Sequence, residues 1–395
     1  MKYAAPMRAQ PPVDGDHQTA SPAPQGPSVW RRRVLVSMAV VGTAALVLGA
    51  ALLLPWDRSA VAPPPPSSPV SVTSPTSTPA NQKPPKLRAR EVLGSPPSGG
   101  RWFSGAWAAG EDASTQRVVD FGTWRGTPTD AATVYTETDT WQEIYDSNWH
   151  VTTYDGFAGI LSFGFPMLPE EARGDFAGIV RGEYDWVYED IARDLVANAR
   201  GRSVVRIGWE ANGDWFPWSA QASEAASYVG AYRHIVRVLH RIAPDLVIDF
   251  DLACGTAMGG QTDRLDALNL LYPGDDVVDL VGCDFFDWYE TTSTDEASWM
   301  RSIRPENAVG IQDVADFART HGKGLSYPEW GLASQQERGA GDNPYFIEKM
   351  RSFFEANADI LVLEGYFSEP ETSLANSIWD PAQMPRSAEV YKRLW

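Results

Sequence analysis

Two glutamates stand where this chain could do acid–base and nucleophilic chemistry. Glu210 closes Val-Val-Arg-Ile-Gly-Trp-Glu, residues 204–210, and Asn212-Gly213 and the aromatics Trp215, Phe216 and Trp218 follow it. Glu329 stands in Leu-Ser-Tyr-Pro-Glu-Trp-Gly, residues 325–331, 119 positions later. One carboxyl that gives up a proton and one that attacks carbon or activates water are what cleaving a glycosidic bond requires. Aromatic rings beside such a pair suit a sugar, whose C–H face is apolar. The pair works only if one member is protonated while the other is ionised, so their surroundings must differ. Trp215, Phe216 and Trp218 would raise the pKa of Glu210 by desolvation. Strand alternation puts Arg206, Gly208 and Glu210 on one side and Ile207 and Trp209 on the other. Arg206 is read either as tuning a carboxylate or as an interior ion pair.

The elements that must hold these residues alternate. Strands are expected near Arg117 to Phe121, Thr133 to Tyr135, Gly159 to Phe163, Val204 to Trp209, Leu246 to Leu252, Val277 to Asp284, Gly324 to Tyr327 and Ile360 to Gly365. Helical periodicity is clearest over Tyr184 to Ala199, Glu224 to Arg241, Val309 to His321 and Tyr345 to Asn357. Eight strands with helices between them predict a (β/α)8 TIM barrel over residues 101–395. Function would then sit at the C-terminal strand ends, where Trp124, Phe165, Glu210, Cys254, Asp284, Glu329 and Tyr366 fall.

Three segments carry a resemblance. Arg206-Ile-Gly-Trp-Glu210-Ala-Asn-Gly-Asp-Trp-Phe-Pro-Trp218 resembles the acid/base motif of glycoside hydrolase family 26, the β-mannanase-like family of clan A barrels. Tyr272-Pro273-Gly274 with Val277 to Asp284 resembles its sixth-strand segment, and Pro328-Glu329-Trp330-Gly331 its nucleophile segment. The resemblance implies a retaining glycosidase with Glu210 as acid/base and Glu329 as nucleophile. Trp209 stands where the family usually has His, and Phe286 where an aromatic hydroxyl often lies near the nucleophile, for which Tyr327 or Tyr289 would be substitutes. After the eighth strand Tyr366 stands in place of the usual Trp. The expected substrate is therefore a β-linked polysaccharide, mannan-like or another surface or wall glycan. Candidate substrate contacts are Arg206, Trp209, Asn212, Trp215, Trp218, Asp284, Trp288, Tyr289, Tyr327, Trp330 and Tyr366. Trp124, Asp251 and Asp287 are further candidates. A transglycosylase that remodels surface glycans and a catalytically silent carbohydrate-binding barrel are the alternatives.

The rest of the chain concerns placement. Residues 1–30 read as a disordered cytoplasmic tail, and residues 31–56 as a transmembrane anchor, with Arg31-Arg32-Arg33 before 21 uncharged residues from Val34 to Leu54. Ala60-Val61-Ala62 offers the competing reading of a cleaved signal peptide and secretion. Residues 57–100 read as a Pro/Ser/Thr-rich linker that holds the barrel outside the cell membrane. From Arg101 onward there are 23 Lys and Arg against 47 Asp and Glu, a balance that disfavours nucleic acid and anionic polymers. Cys254 and Cys283 are read either as a disulfide or as two buried thiols. The chain shows no metal-ligand spacing, P-loop or dinucleotide fingerprint, so no metal or cofactor is expected, and the barrel is taken as a monomer.

Overall fold

The computed structural model describes residues 86–107, 114–147, 149–370 and 374–395. The tail and anchor expected over residues 1–56 lie outside the described residues. Among the described residues, no helix is long and apolar enough to cross a membrane.

Eight parallel strands close into a barrel in sequence order. They are β1 Phe103–Trp107, β2 Ala131–Tyr135, β3 Ile160–Phe165, β4 Val204–Ile207, β5 Val247–Ala253, β6 Leu280–Phe286, β7 Gly324–Gly331 and β8 Leu361–Phe367. Closure comes from β1, which pairs with β2 on one side and β8 on the other. The expected first strand is wrong: Thr115–Arg125 is a helix, started by the Ser114 side chain and stopped at Gly126. Its buried Val118, Phe121 and Arg125 recur at helical spacing, so the β-branched pair Val118-Val119 belongs to an amphipathic stripe. Trp124 therefore leaves the barrel mouth and stacks on Tyr391 in the outer layer, ring centroids 6.1 Å apart.

The four helices expected from periodicity form, as Asp185–Ala197, Ala225–Ile242, Ile311–Thr320 and Pro344–Ala356. The second buries Tyr228, Tyr232, Ile235 and Leu239 against the barrel wall. At about 1.5–3 kcal/mol for each large apolar side chain fully buried, that stripe is a principal attachment of the helix.

Alternation along β5 shows how the interior is layered. Ile248, Phe250 and Leu252 face outward into the main core. Val247 joins a lower apolar cluster with Phe103, Ala131, Val204 and Leu280. Asp249 and Asp251 line the polar middle, where Asp249 Oδ1 accepts from the Ser326 hydroxyl at 2.8 Å. The lower cluster is sealed by a short helix, Arg88–Leu93, whose Ala89, with Leu87 just before the helix, is buried in it. Arg88 donates to the carbonyls of Pro244 and Leu246 and to Asp279, and Arg90 to those of Ala358, Asp359 and Leu361. The barrel's lower layer thus begins before Arg101, inside the stretch read as linker.

Candidate active site

Strand β4 ends at Ile207, and the chain then turns sharply to present Glu210. Gly208 has φ 53°, and a Cβ there would come within 2.4 Å of the Met167 sulfur, so the turn favours glycine on both counts. Glu210 itself sits at φ 55°, a left-handed conformation that costs a side-chain-bearing residue about 1–3 kcal/mol. Its N–H donates to the Asp251 carbonyl at 3.0 Å and its carbonyl accepts from Gly213 at 2.9 Å, which hold the turn. The strict alternation expected through Trp209 therefore stops at Ile207. Trp209 packs between Tyr135, Phe216 and Trp218.

The Trp215 indole N–H donates to Glu210 Oε2 at 2.9 Å. Burial first, and then the Glu329 carboxylate, push the Glu210 carboxyl up to about 8, against the Trp215 bond, which favours the anion. At neutral pH Glu210 carries a proton.

Arg206 is the hub beneath. Its Nε donates to Asp251 Oδ2 at 2.7 Å, and its Nη2 donates to both Asp284 Oδ2 and Glu329 Oε1 at 2.6 Å. Burial works against the guanidinium charge, yet Asp284, Asp251 and Glu329 together raise its pKa well above the ordinary value. One cation cannot neutralise so many acids. Burial accordingly pushes Asp284 well above the carboxylate range despite Arg206, Asp251 up to about 6, and Asp249 up to about 8. Tyr135, at the end of β2, hydrogen-bonds Glu329 through its hydroxyl, to which Arg206 Nη1 also donates at 3.3 Å.

The structure brings together Glu210, Glu329, Arg206, Asp251, Asp284 and Trp215. Other expected contacts fall elsewhere. Tyr327 is buried between β7 and the outer helices, its hydroxyl on the Ile311 carbonyl. Trp330 donates to Glu364 and packs on Tyr366, Tyr391 and Trp395, and the Tyr366 hydroxyl donates to the Asn376 carbonyl. None of these three has a face for a sugar. Trp218 is also fully buried and donates to the Trp209 carbonyl at 2.8 Å. The Asn212 side chain is consumed by Ala253 and Thr256, and the Asp287 carboxylate by Ser293 and Asn343. Arg206, Trp209 and Asp284 are closed to solvent and meet the site from beneath or behind. Trp215 and Trp288 remain half-buried and Tyr289 exposed, with the Arg338 guanidinium 5.2 Å from its ring centre.

The aromatic hydroxyl expected near the nucleophile comes neither from Tyr327 nor from Tyr289. Tyr135 supplies it, and the signal was available: it closes the second strand, the one strand for which no end residue had been singled out. Cys254 and Cys283 form a disulfide, joining the upper ends of β5 and β6 next to Asp284.

Comparison with known proteins points to the same family as the sequence motifs. The sequence model of glycosyl hydrolase family 26 matches residues 187–348, a span that contains both Glu210 and Glu329. Residues 187–348 of the barrel are thus similar to the family 26 glycosyl hydrolases. Over 155 residues the chain is 30% identical to a mannan endo-1,4-beta-mannosidase of Bifidobacterium adolescentis, covering 38% of this chain and 14% of that protein. Another 121-residue match, 32% identical, is to endoglucanase H of Acetivibrio thermocellus, covering 29% of this chain and 13% of that one. The chain thus spans only about a seventh of the length of these two relatives. Its fold is shared with an endo-beta-1,4-mannanase of Cellulomonas fimi, at TM-score 0.54 and 16% identity over 78% of this chain and 75% of that one. It is shared as well with a beta-mannanase of Bacteroides ovatus, at TM-score 0.52 and 12% identity over 78% and 90%.

Proposed function

We propose that this family 26-like barrel hydrolyses a β-linked polysaccharide with retention of configuration, Glu210 serving as acid/base and Glu329 as nucleophile. The observation that carries the reading is the asymmetry of the pair: Glu210 keeps its proton up to about 8, while Glu329 lies against the Arg206 guanidinium at 2.6 Å.

In the first step a Glu329 oxygen attacks the anomeric carbon as Glu210 gives its proton to the glycosidic oxygen. The carbon–oxygen bond breaks, the leaving sugar departs with that proton, and a glycosyl ester on Glu329 remains. Glu210, now an anion, is stabilised by the Trp215 N–H. It then takes a proton from water, the oxygen of which attacks the same carbon and frees Glu329. Arg206 and the Tyr135 hydroxyl orient the attacking carboxylate, and Arg206 supplies compensating charge. Trp215, Trp288 and Tyr289 offer rings for the sugar's apolar face.

The substrate class rests on the mannan-directed and glucan-directed names of the sequence relatives, and is taken as mannan-like or another surface or wall glycan. On the same reading the domain works outside the cytoplasm, tethered by the apolar segment before the Pro-rich linker or secreted if the chain is cleaved near Ala62. The Cys254–Cys283 disulfide supports an oxidising compartment. The test is release of reducing ends by the full chain from β-mannans, β-glucans, xylans and bacterial wall polysaccharides. Release that Glu210→Gln and Glu329→Gln both abolish supports the reading. Tight binding without release, unchanged in both variants, would leave a carbohydrate-binding barrel instead.

A further inference from the structure

Outside the cleft, the aromatic side chains with the most open faces sit together on the outer rim. Trp186 is 45% exposed and Tyr145 37%, and among the described side chains Trp186 is the one tryptophan exposed to that degree. Their ring centroids lie 5.3 Å apart with planes at 47°. One turn before Tyr145 on the same helix, Trp141 is stacked on Tyr184 at 4.2 Å and set edge-on against the buried Tyr188. Tyr184 is fixed in turn by its hydroxyl on Asp175 at 2.6 Å. A large apolar ring left in water at a rigid position costs free energy that a ligand can recover.

We propose that Tyr145 and Trp186 form a second carbohydrate-binding site, a surface platform that takes a neutral polysaccharide strand outside the catalytic cleft. The inference rests on the hydrolase reading for its class of ligand. Placement supports it. The Trp141 N–H donates to Glu171 at 2.8 Å, Arg173 donates to the Phe216 carbonyl at 2.8 Å, and the Gly174 N–H donates to that of Pro217 at 3.0 Å. Residues 171–174 thus tie the base of the platform to the loop that carries Trp215 over Glu210. A polymer leaving the cleft on the acid/base side would meet these rings. Chemistry supports it as well. Each ring offers a face for the C–H side of a pyranose. Exposed Gln142, in the helix that ends on Tyr145, and Asp146, which caps it, offer partners for hydroxyls. The acidity of the domain turns away anionic polymers. Two side chains are far below the roughly 800 Å² per partner of a stable protein interface.

The test uses the full chain, Trp186→Ala, Tyr145→Ala and the double variant. Retention in gels containing the polymer that the wild type hydrolyses is compared with kcat and KM on that polymer and on a short oligosaccharide of it. The platform predicts roughly tenfold weaker retention for the double variant, two stacking contacts being lost. KM on the polymer should rise, with oligosaccharide kinetics unchanged. Retention equal to wild type overturns the proposal, as does a wild type that hydrolyses the polymer without being retained. Parallel loss on polymer and oligosaccharide also overturns it, since the cleft has then been disturbed, and so does altered sedimentation with unchanged retention, which marks a contact between copies of the chain. Absence of turnover on every polymer tests the hydrolase reading instead, and retention lost in the double variant would then still support the platform.

Discussion

Arg206 Nη2 lies 2.6 Å from Glu329 Oε1 and, at the same distance, from Asp284 Oδ2, so a single guanidinium nitrogen joins the attacking carboxylate to the acidic floor of the barrel. Removing the guanidinium leaves buried carboxylates without a counter-charge, a change that costs about 3–5 kcal/mol. Arg206→Met should therefore lower unfolding free energy by about that amount. Arg206→Lys keeps a charge but loses the fork, and should keep more stability than Met while still lowering kcat. Denaturant titration beside steady-state kinetics checks both.

Tyr135 supplies the hydroxyl at the nucleophile. Tyr135→Phe removes one donor from the Glu329 carboxylate and keeps the ring that packs on Trp107 and Trp209. A fall in kcat on the order of tenfold to a hundredfold is expected, smaller than for loss of a full oxyanion donor. KM should be nearly unchanged and thermal unfolding close to wild type. An unaltered kcat would remove Tyr135 from the reaction.

The pH dependence follows from Glu210. Its folded pKa of about 8 lies above the ordinary value of 4.5, so the folded protein binds the proton more tightly than the unfolded chain. Stability from this group is fully present below 4.5 and is lost as pH rises through about 8. Glu210→Gln removes that dependence, so its stability relative to wild type should grow across this window. The rate should share the upper limb: kcat/KM falls as pH rises through about 8, because the acid has lost its proton.

The barrel's lower seal should matter for stability and not for chemistry. Leu87→Ala should cost about 2–5 kcal/mol, the usual penalty for truncating a buried Leu. A chain beginning at Arg101 should melt lower still, while both turn over substrate normally well below their melting temperatures. Differential scanning calorimetry with matched kinetics decides it.

The Cys254–Cys283 bond closes a loop with a sequence separation of 29. Replacing both with Ser should cost about 3–4 kcal/mol by the loop-entropy argument. Urea titration of the double variant gives the number.

What the sequence made legible follows from burial. Strands such as Val204–Ile207 and Val247–Ala253 are buried on both faces and read as β-branched runs, so seven of the eight strands were recognisable. Phe103–Trp107 was not, because Ser104, Gly105 and Ala106 give a short, weak apolar signal. The two glutamates could be placed because they follow strand ends. The aromatics around them were harder. Trp330 neighbours Glu329 but points outward, and the pairing of β7 with β8 shifts between Tyr327 and Trp330, which no sequence period foretells. Asp251 and Asp284 were read as candidate sugar contacts and Arg206 as a possible interior ion pair, but their joining was not legible: the two acids lie 45 and 78 residues from Arg206 and meet it only when the barrel closes.

The most direct test of the double displacement is the configuration of the product at the moment of release, read by proton NMR before mutarotation, on the polysaccharide that the chain hydrolyses. The account predicts the β-anomer first, with the α-anomer appearing only at the spontaneous rate. The α-anomer first would mean that water attacks directly, and would contradict Glu329 as nucleophile.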